Sequence, residues 1–218
     1  MRCFLFFLLW LSFSKCLQAQ VPVHEEPRHK PVFQNHNVRL LNVLLPRGDT
    51  TQYHLHNTPS LFLFFTSTTT GSQLQGSAPS TGRSTAGTIL FENLAPPHVR
   101  IHRVWNIDST TFHVMDIELL GRDSGFTTTP LAGSQLQLAV DTPWVRAYKV
   151  TLERNKPFVL NKAKGNFILV AMQAGDVRLQ GKRKQWKEGD FVYVTAGKSL
   201  MLQHDLQQPV QFALIELP

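Results

Sequence analysis

The chain has 218 residues, 42% of them hydrophobic, which is enough for a real core in one large or two small domains and excludes a disordered polymer. Its 22 Lys and Arg against 15 Asp and Glu make it mildly basic, compatible with a polyanionic surface but without the charge signature of a nucleic-acid binder. Both cysteines, Cys3 and Cys16, lie in the first 19 residues, so the rest of the chain has no disulfide, no thiol nucleophile and no thiolate metal ligand.

Residues 1–19 predict a secretory signal peptide. Arg2 precedes an apolar run too short to span a bilayer, and a small residue, Ala19, supplies a cleavage point. A secreted or periplasmic location is the expectation, with no transmembrane segment in the mature chain. Residues 20–37 are rich in Pro, His and charge. They read as an N-terminal arm or leader, with His24, His29 and His36 solvated.

From Val38 a β pattern begins with Val38–Leu45 and ends at Pro46-Arg47-Gly48. A short strand follows over Gln52–His56, then Ser60–Thr66, apolar on both faces as in a strand covered on both sides. Residues 67–88, mostly Ser, Thr and Gly, read as a long hairpin or loop. Strands resume at Gly87–Phe91, His98–Asn106 and Phe112–Leu120. Residues 122–143 look like a linker, and β patterning restarts at Trp144–Leu152. It continues through short strands, punctuated by Gly, to Val210–Leu217. Short strands at regular spacing, without a convincing helical period, predict an all-β protein. The halves echo one another. Each opens on a long apolar strand and closes on one with a late glutamate, Glu118 and Glu216, which points to an internal duplication over 38–121 and 144–218.

The residues that carry chemistry are His54 and His56. Two apart on one strand, they face the same side and make half a metal site, with Gln52 on that same face. The basic run Gly181–Lys187, with Trp186 inside it, reads as a solvated hairpin tip rather than a polyanion grip. There is no P-loop, no G-x-S-x-G elbow and no C-x-x-C pair. His113 shares no strand face with Asp116 or Glu118 and makes no triad with them.

Taken together, Gly48, His54 and His56, then His102 and Asn106, resemble the two motifs of the cupin superfamily of small jelly-roll barrels. The resemblance covers residues from about Val38 to Leu120 well, with the Pro-x-Gly part of the second motif degraded at Pro97 and His98, and extends in pattern only to Trp144–Leu217. It implies two tandem cupin-type barrels, bicupin-like, the second degenerate and metal-free, with Leu200 about where a second-motif histidine would fall. It also implies that His54, His56 and His102 share a divalent metal, with His98 a weaker alternative and Gln52 and Asn106 in support. The glutamate of the family's first motif would fall at Ser60 or Leu61, neither of which is a carboxylate. Fe, Zn, Ni and Cu all suit such a three-histidine set, and no organic cofactor is implied. The functions that follow are a metal-dependent oxygenase or lyase acting on a small polar molecule, a non-catalytic small-ligand or protein-binding module, or a metal-independent sugar isomerase or epimerase. A homodimer is compatible with exposed jelly-roll edges.

Overall fold

The computed structural model describes residues 20–121, 125–205 and 207–218. The expected signal peptide lies outside these residues. The described chain is all-β, apart from a single 3-10 turn at Val23–Glu25.

The N-terminal half contributes ten strands: β1 (Val21–Pro22), β2 (His29–Gln34), β3 (Val38–Leu45), β4 (His54–His56), β5 (Ser60–Phe64), β6 (Thr69–Leu74), β7 (Ser80–Arg83), β8 (Ile89–Glu92), β9 (Arg100–Asn106) and β10 (Phe112–Leu119). They form two five-stranded sheets, ordered β1-β4-β9-β6-β7 and β2-β3-β10-β5-β8. The C-terminal half contributes β11 (Leu136–Asp141), β12 (Arg146–Leu152), β13 (Phe158–Leu160), β14 (Asn166–Ala171), β15 (Gly175–Leu179), β16 (Lys182–Trp186), β17 (Phe191–Val194), β18 (Leu200–Gln203) and β19 (Val210–Leu217). Their sheets run β11-β12-β19-β14-β17 and β13-β18-β15-β16. Strand for strand, the second order repeats the first. Among the described residues, β1 alone lacks a counterpart.

Two stretches that read as arm and linker enter these sheets. β2 lies within residues 20–37 and pairs with β3, and β11 lies within 122–143 and pairs with β12. The Ser/Thr/Gly-rich stretch is the hairpin β6–β7.

Period-two alternation sorts the apolar side chains into three places. Phe112 and Val114 of β10 join Val43 and Leu45 of β3 inside the first barrel. The alternate residues Met115, Ile117 and Leu119 point the other way and pack against Ile168, Val170, Ala213 and Ile215 of the second barrel. The two barrels thus meet sheet to sheet through a dry apolar layer. Inside the second barrel Tyr148, Phe158, Phe167, Trp186, Phe212 and Leu214 fill the space. Trp186, the aromatic of the basic run, is fully buried, and Lys184 lies over its ring while Arg183 pairs with Asp176. That run is a hairpin strand with its aromatic turned inward.

Candidate metal centre

β4 is three residues long and carries His54 and His56 on one face, both buried. β9 runs antiparallel beside it, with His102 directly opposite His54. Cross-strand neighbours on one face hold their Cβ atoms about 5 Å apart, so this register alone brings the second motif's histidine to the first. The ring centroids of His54 and His56 are 5.0 Å apart, those of His54 and His102 4.7 Å, and those of His56 and His102 5.1 Å.

A fourth imidazole arrives from the other sheet. His29, at the start of β2, is buried, and its ring centroid lies 4.5 Å from that of His54. Ligand atoms of His29, His54 and His56 all fall within 4.8 Å of one another. His29 is therefore a wall of the site and not a solvated histidine, in contrast to the expectation for its stretch. It is fixed there by Glu26, also buried, whose carboxylate accepts from His29 Nδ1 at 2.6 Å, from the Arg28 N–H at 2.8 Å and from the Gln52 N–H at 3.1 Å. Burial alone would raise the Glu26 pKa, but these bonds bring it below the usual carboxylate range. Arg28 adds a bidentate pair with Asp49, at 2.6 and 2.8 Å, and so clips the segment to the turn before β4.

Two of the imidazoles are oriented through their outer nitrogens. His29 Nδ1 is spent on Glu26, and His54 Nδ1 donates to the Gln52 carbonyl at 2.8 Å. That fixes the tautomer of both and leaves each Nε2 as the free nitrogen. His54 Nε2 is buried with no hydrogen-bond partner. His56 Nε2 stands 3.1 Å from His102 Nε2. Two imidazole nitrogens bound to one divalent ion at about 2.0–2.1 Å stand roughly 2.8–3.4 Å apart at bond angles between square and tetrahedral, so the pair already has the spacing of two ligands. Burial holds all three in the neutral, ligating form. It brings His54 down to about 4, with the nearby His29 adding to the effect and the Gln52 bond opposing it. Burial and the charges of His54 and Arg100 bring His102 down to about 3, and His56 is pushed well below its ordinary value for the same reasons. A cluster of imidazoles with an unpartnered buried lone pair is a donor set that a divalent metal fits.

The other expected participants lie elsewhere. Gln52 has an exposed side chain and contributes through its backbone, which bonds His54 and Glu26. Asn106 is buried, but its amide ties Leu45 O and Thr110 O at 2.8 Å each and accepts from the Asp108 N–H, so it anchors the turn after β9. His98 is exposed in the turn after Pro96-Pro97, away from the cluster. No carboxylate comes from Ser60 or Leu61. One comes from across the barrel. Asp116 on β10 is 1% exposed, and its Oδ2 lies 3.5 Å from His56 Nδ1. Neither of its oxygens nor His56 Nδ1 has a hydrogen-bond partner of good geometry; the neighbouring Ser60 hydroxyl lies close enough to oppose the rise in the Asp116 pKa but bonds the Thr58 carbonyl, at 3.4 Å. Burial, and then the charge of Glu118, push the Asp116 carboxyl well above its ordinary range.

The cluster forms one end of a cavity of about 300 Å3 whose walls are mostly apolar, among them Leu45, Phe62, Phe64, Leu90 and Phe112. Arg100, in a bidentate pair with Glu92 at 2.6 and 2.8 Å, lines it as well.

The second barrel serves as an internal control. Matching the strand registers sets His54, His56 and His102 against Phe158, Leu160 and Leu202, His29 against Leu136, and Asp116 against Leu214. All five counterparts pack in or against that barrel's apolar core. The position equivalent to His102 is thus Leu202, two residues beyond the expected Leu200 and on the same face. The ion pair Arg39–Glu118 has its counterpart in Arg146–Glu216, so the register match holds outside the site too.

No family model matches the sequence, and no curated protein does. Solved structures do. YhhW from Escherichia coli superposes with a TM-score of 0.60 at 15% identity, over 89% of either chain. A mutant of salicylate 1,2-dioxygenase from Pseudoaminobacter salicylatoxidans, in complex with gentisate, gives 0.59 at 14% identity over 91% of this chain and 76% of that one. A cupin 2 conserved barrel domain protein from Leptotrichia buccalis gives 0.56 at 12%, over 87% and 88%. The chain therefore has a cupin-type jelly-roll fold in a two-barrel, bicupin-like form, with a cluster of three histidines, His29, His54 and His56, capable of coordinating a divalent metal in the N-terminal barrel.

Proposed function

We propose that this chain is an exported metal-binding protein whose N-terminal barrel holds one divalent ion through His54, His56 and His102, with His29 as a fourth imidazole, and that it acts on a small molecule entering the cavity. The observation that carries this reading is the convergence of four imidazoles in which the outer nitrogens of His29 and His54 are already committed and His54 Nε2 is buried without a partner. A divalent ion bound there supplies Lewis acidity and, for a redox-active metal, dioxygen chemistry. The chain's own residues do the rest. Phe62, Phe64 and Phe112 keep water from the apolar end, and the Arg100–Glu92 pair offers a polar group on the wall. The fitting molecule joins an oxygen-bearing polar end to a compact apolar body. The likeness to a salicylate dioxygenase in complex with gentisate supports small aromatic acids as first candidates, although fold alone does not carry function.

The test is elemental analysis of the purified chain after reconstitution with Fe, Zn, Ni and Cu in turn. One ion per chain is expected, lost on His54→Ala; failure of every metal to bind overturns the reading. A non-catalytic binding role draws on the 3.1 Å contact between His56 and His102, by which the cluster partly satisfies itself. Turnover of any candidate acid by the loaded protein would exclude it. Export is supported by residues 1–19, and N-terminal sequencing of the secreted product tests it. No helix among the described residues is long and apolar enough to cross a membrane.

A further inference from the structure

Resting on the metal reading above, we infer that this chain balances the charge of its metal from outside the coordination sphere, with Asp116 behind His56 and Glu26 behind His29 as the two positioning carboxylates. The cluster itself is made of imidazoles, which bring no negative charge to a divalent ion in a mostly apolar cavity. Two buried carboxylates stand at the outer nitrogens of two of those imidazoles, Glu26 at His29 and Asp116, which also lines the cavity, at His56. The Glu26 contact is already closed, at 2.6 Å from His29 Nδ1. The Asp116 contact is open. His56 Nδ1 and both Asp116 oxygens are buried and unpartnered, with Nδ1 and Oδ2 3.5 Å apart.

The tautomer explains why metal would close it. Two nitrogens 3.1 Å apart need a hydrogen between them, so in the metal-free site one of the two carries its proton on Nε2, and the open contact between His56 Nδ1 and Asp116 points to His56. When both Nε2 atoms ligate, each proton must reside on Nδ1. His56 then presents Nδ1–H to Asp116, whose carboxyl gives up to solvent any proton it holds as the cation binds, and two unsatisfied groups become one charge-assisted hydrogen bond. The fold does not need Asp116. Its counterpart in the second barrel is Leu214, buried in an apolar core built on the same strand order. A carboxylate kept unpartnered in such a place costs stability, and removing it should restore some.

The experiment is a Co(II) and Zn(II) affinity measurement, by competition with a chromophoric chelator, on the wild type, Asp116→Asn and Asp116→Leu, together with denaturant unfolding of each metal-free protein. Asparagine keeps an acceptor for His56 Nδ1–H but loses the charge, whereas leucine loses both. The expected result is a 10- to 100-fold (roughly) loss of affinity in Asp116→Asn, at least as large in Asp116→Leu, with metal-free unfolding midpoints equal to or above the wild type. Glu26→Gln should weaken binding in the same range. Wild-type affinity in both Asp116 variants overturns the inference and leaves the metal reading standing. Absence of binding by the wild type overturns both. If Asp116→Leu does not fold, the isosteric Asp116→Asn decides alone.

Discussion

His29 and His54 each have one nitrogen taken by a neighbour and one left over, and that assignment is settled by single atoms. A lone pair that stays free at low pH also sets how the metal-free protein responds to acid. His54 and His113 titrate at about 4 and His102 at about 3 in the folded chain, each brought down chiefly by burial, against about 6.5 when unfolded. The unfolded chain therefore takes up protons first. Stability is fully present above about pH 6.5 and falls as pH drops toward about 4, and further toward about 3 for His102. Asp116, with its raised pKa, works in the opposite sense, favouring the folded state in acid and giving that up as pH rises, but it is one group against several. Urea midpoints of the metal-free protein should fall steadily between about pH 6.5 and about pH 4, and a flat profile would contradict the buried, neutral assignment. At this scale the sequence was legible only in part. His54, His56 and His102 announce themselves by spacing, since two of them share a strand face. His29 gives no such signal, being a single histidine in a stretch dense in proline and charge; only Glu26, three residues before it, hints at a pair. The clue to Asp116 is its setting among Val114, Met115 and Ile117, where an unpaired carboxylate has no reason to sit.

Strands are where register turns residue types into a site. β9 carries His102 into place, and its partner on the far side, β6, sets Gly71 opposite Trp105. The Trp105 indole occupies the space that a Cβ on residue 71 would need. Gly71→Ala should therefore push β6 from β9 and destabilise the protein by about 1–3 kcal/mol, read from denaturant unfolding, with a weaker metal site as the second effect. The elements that the sequence hid are edge strands. β2 and β11 each have one neighbour in their sheets and expose most of their side chains, so the apolar alternation that marks a central strand is missing. In β2 Pro31 adds to the disguise, sitting at a shift in the register with β3 where a missing N–H is tolerated. Central strands such as β3, β10 and β19, buried on both faces, were plain.

At the level of the molecule, one strand order is used twice with opposite interiors: a hollow lined by imidazoles in the first barrel, and a filled core in the second. The layer joining them is as dry as either core, with Ile117, Ile168 and Ile215 all inaccessible to solvent. Ile215→Ala should cost about 2–5 kcal/mol, and because its contacts span both barrels the protein should still unfold in one transition, by calorimetry as well as by fluorescence. β10 gives this layer a further meaning. Its odd-numbered residues lean on the second barrel while its even-numbered ones face the first, so Asp116 is held between two neighbours, Met115 and Ile117, that are themselves clamped from behind. The second barrel, apolar where the first has its site, works as a backstop. It keeps the wall beside His56 from giving way, and the stiffness of the candidate metal pocket is set partly by a domain that lends it no side chain.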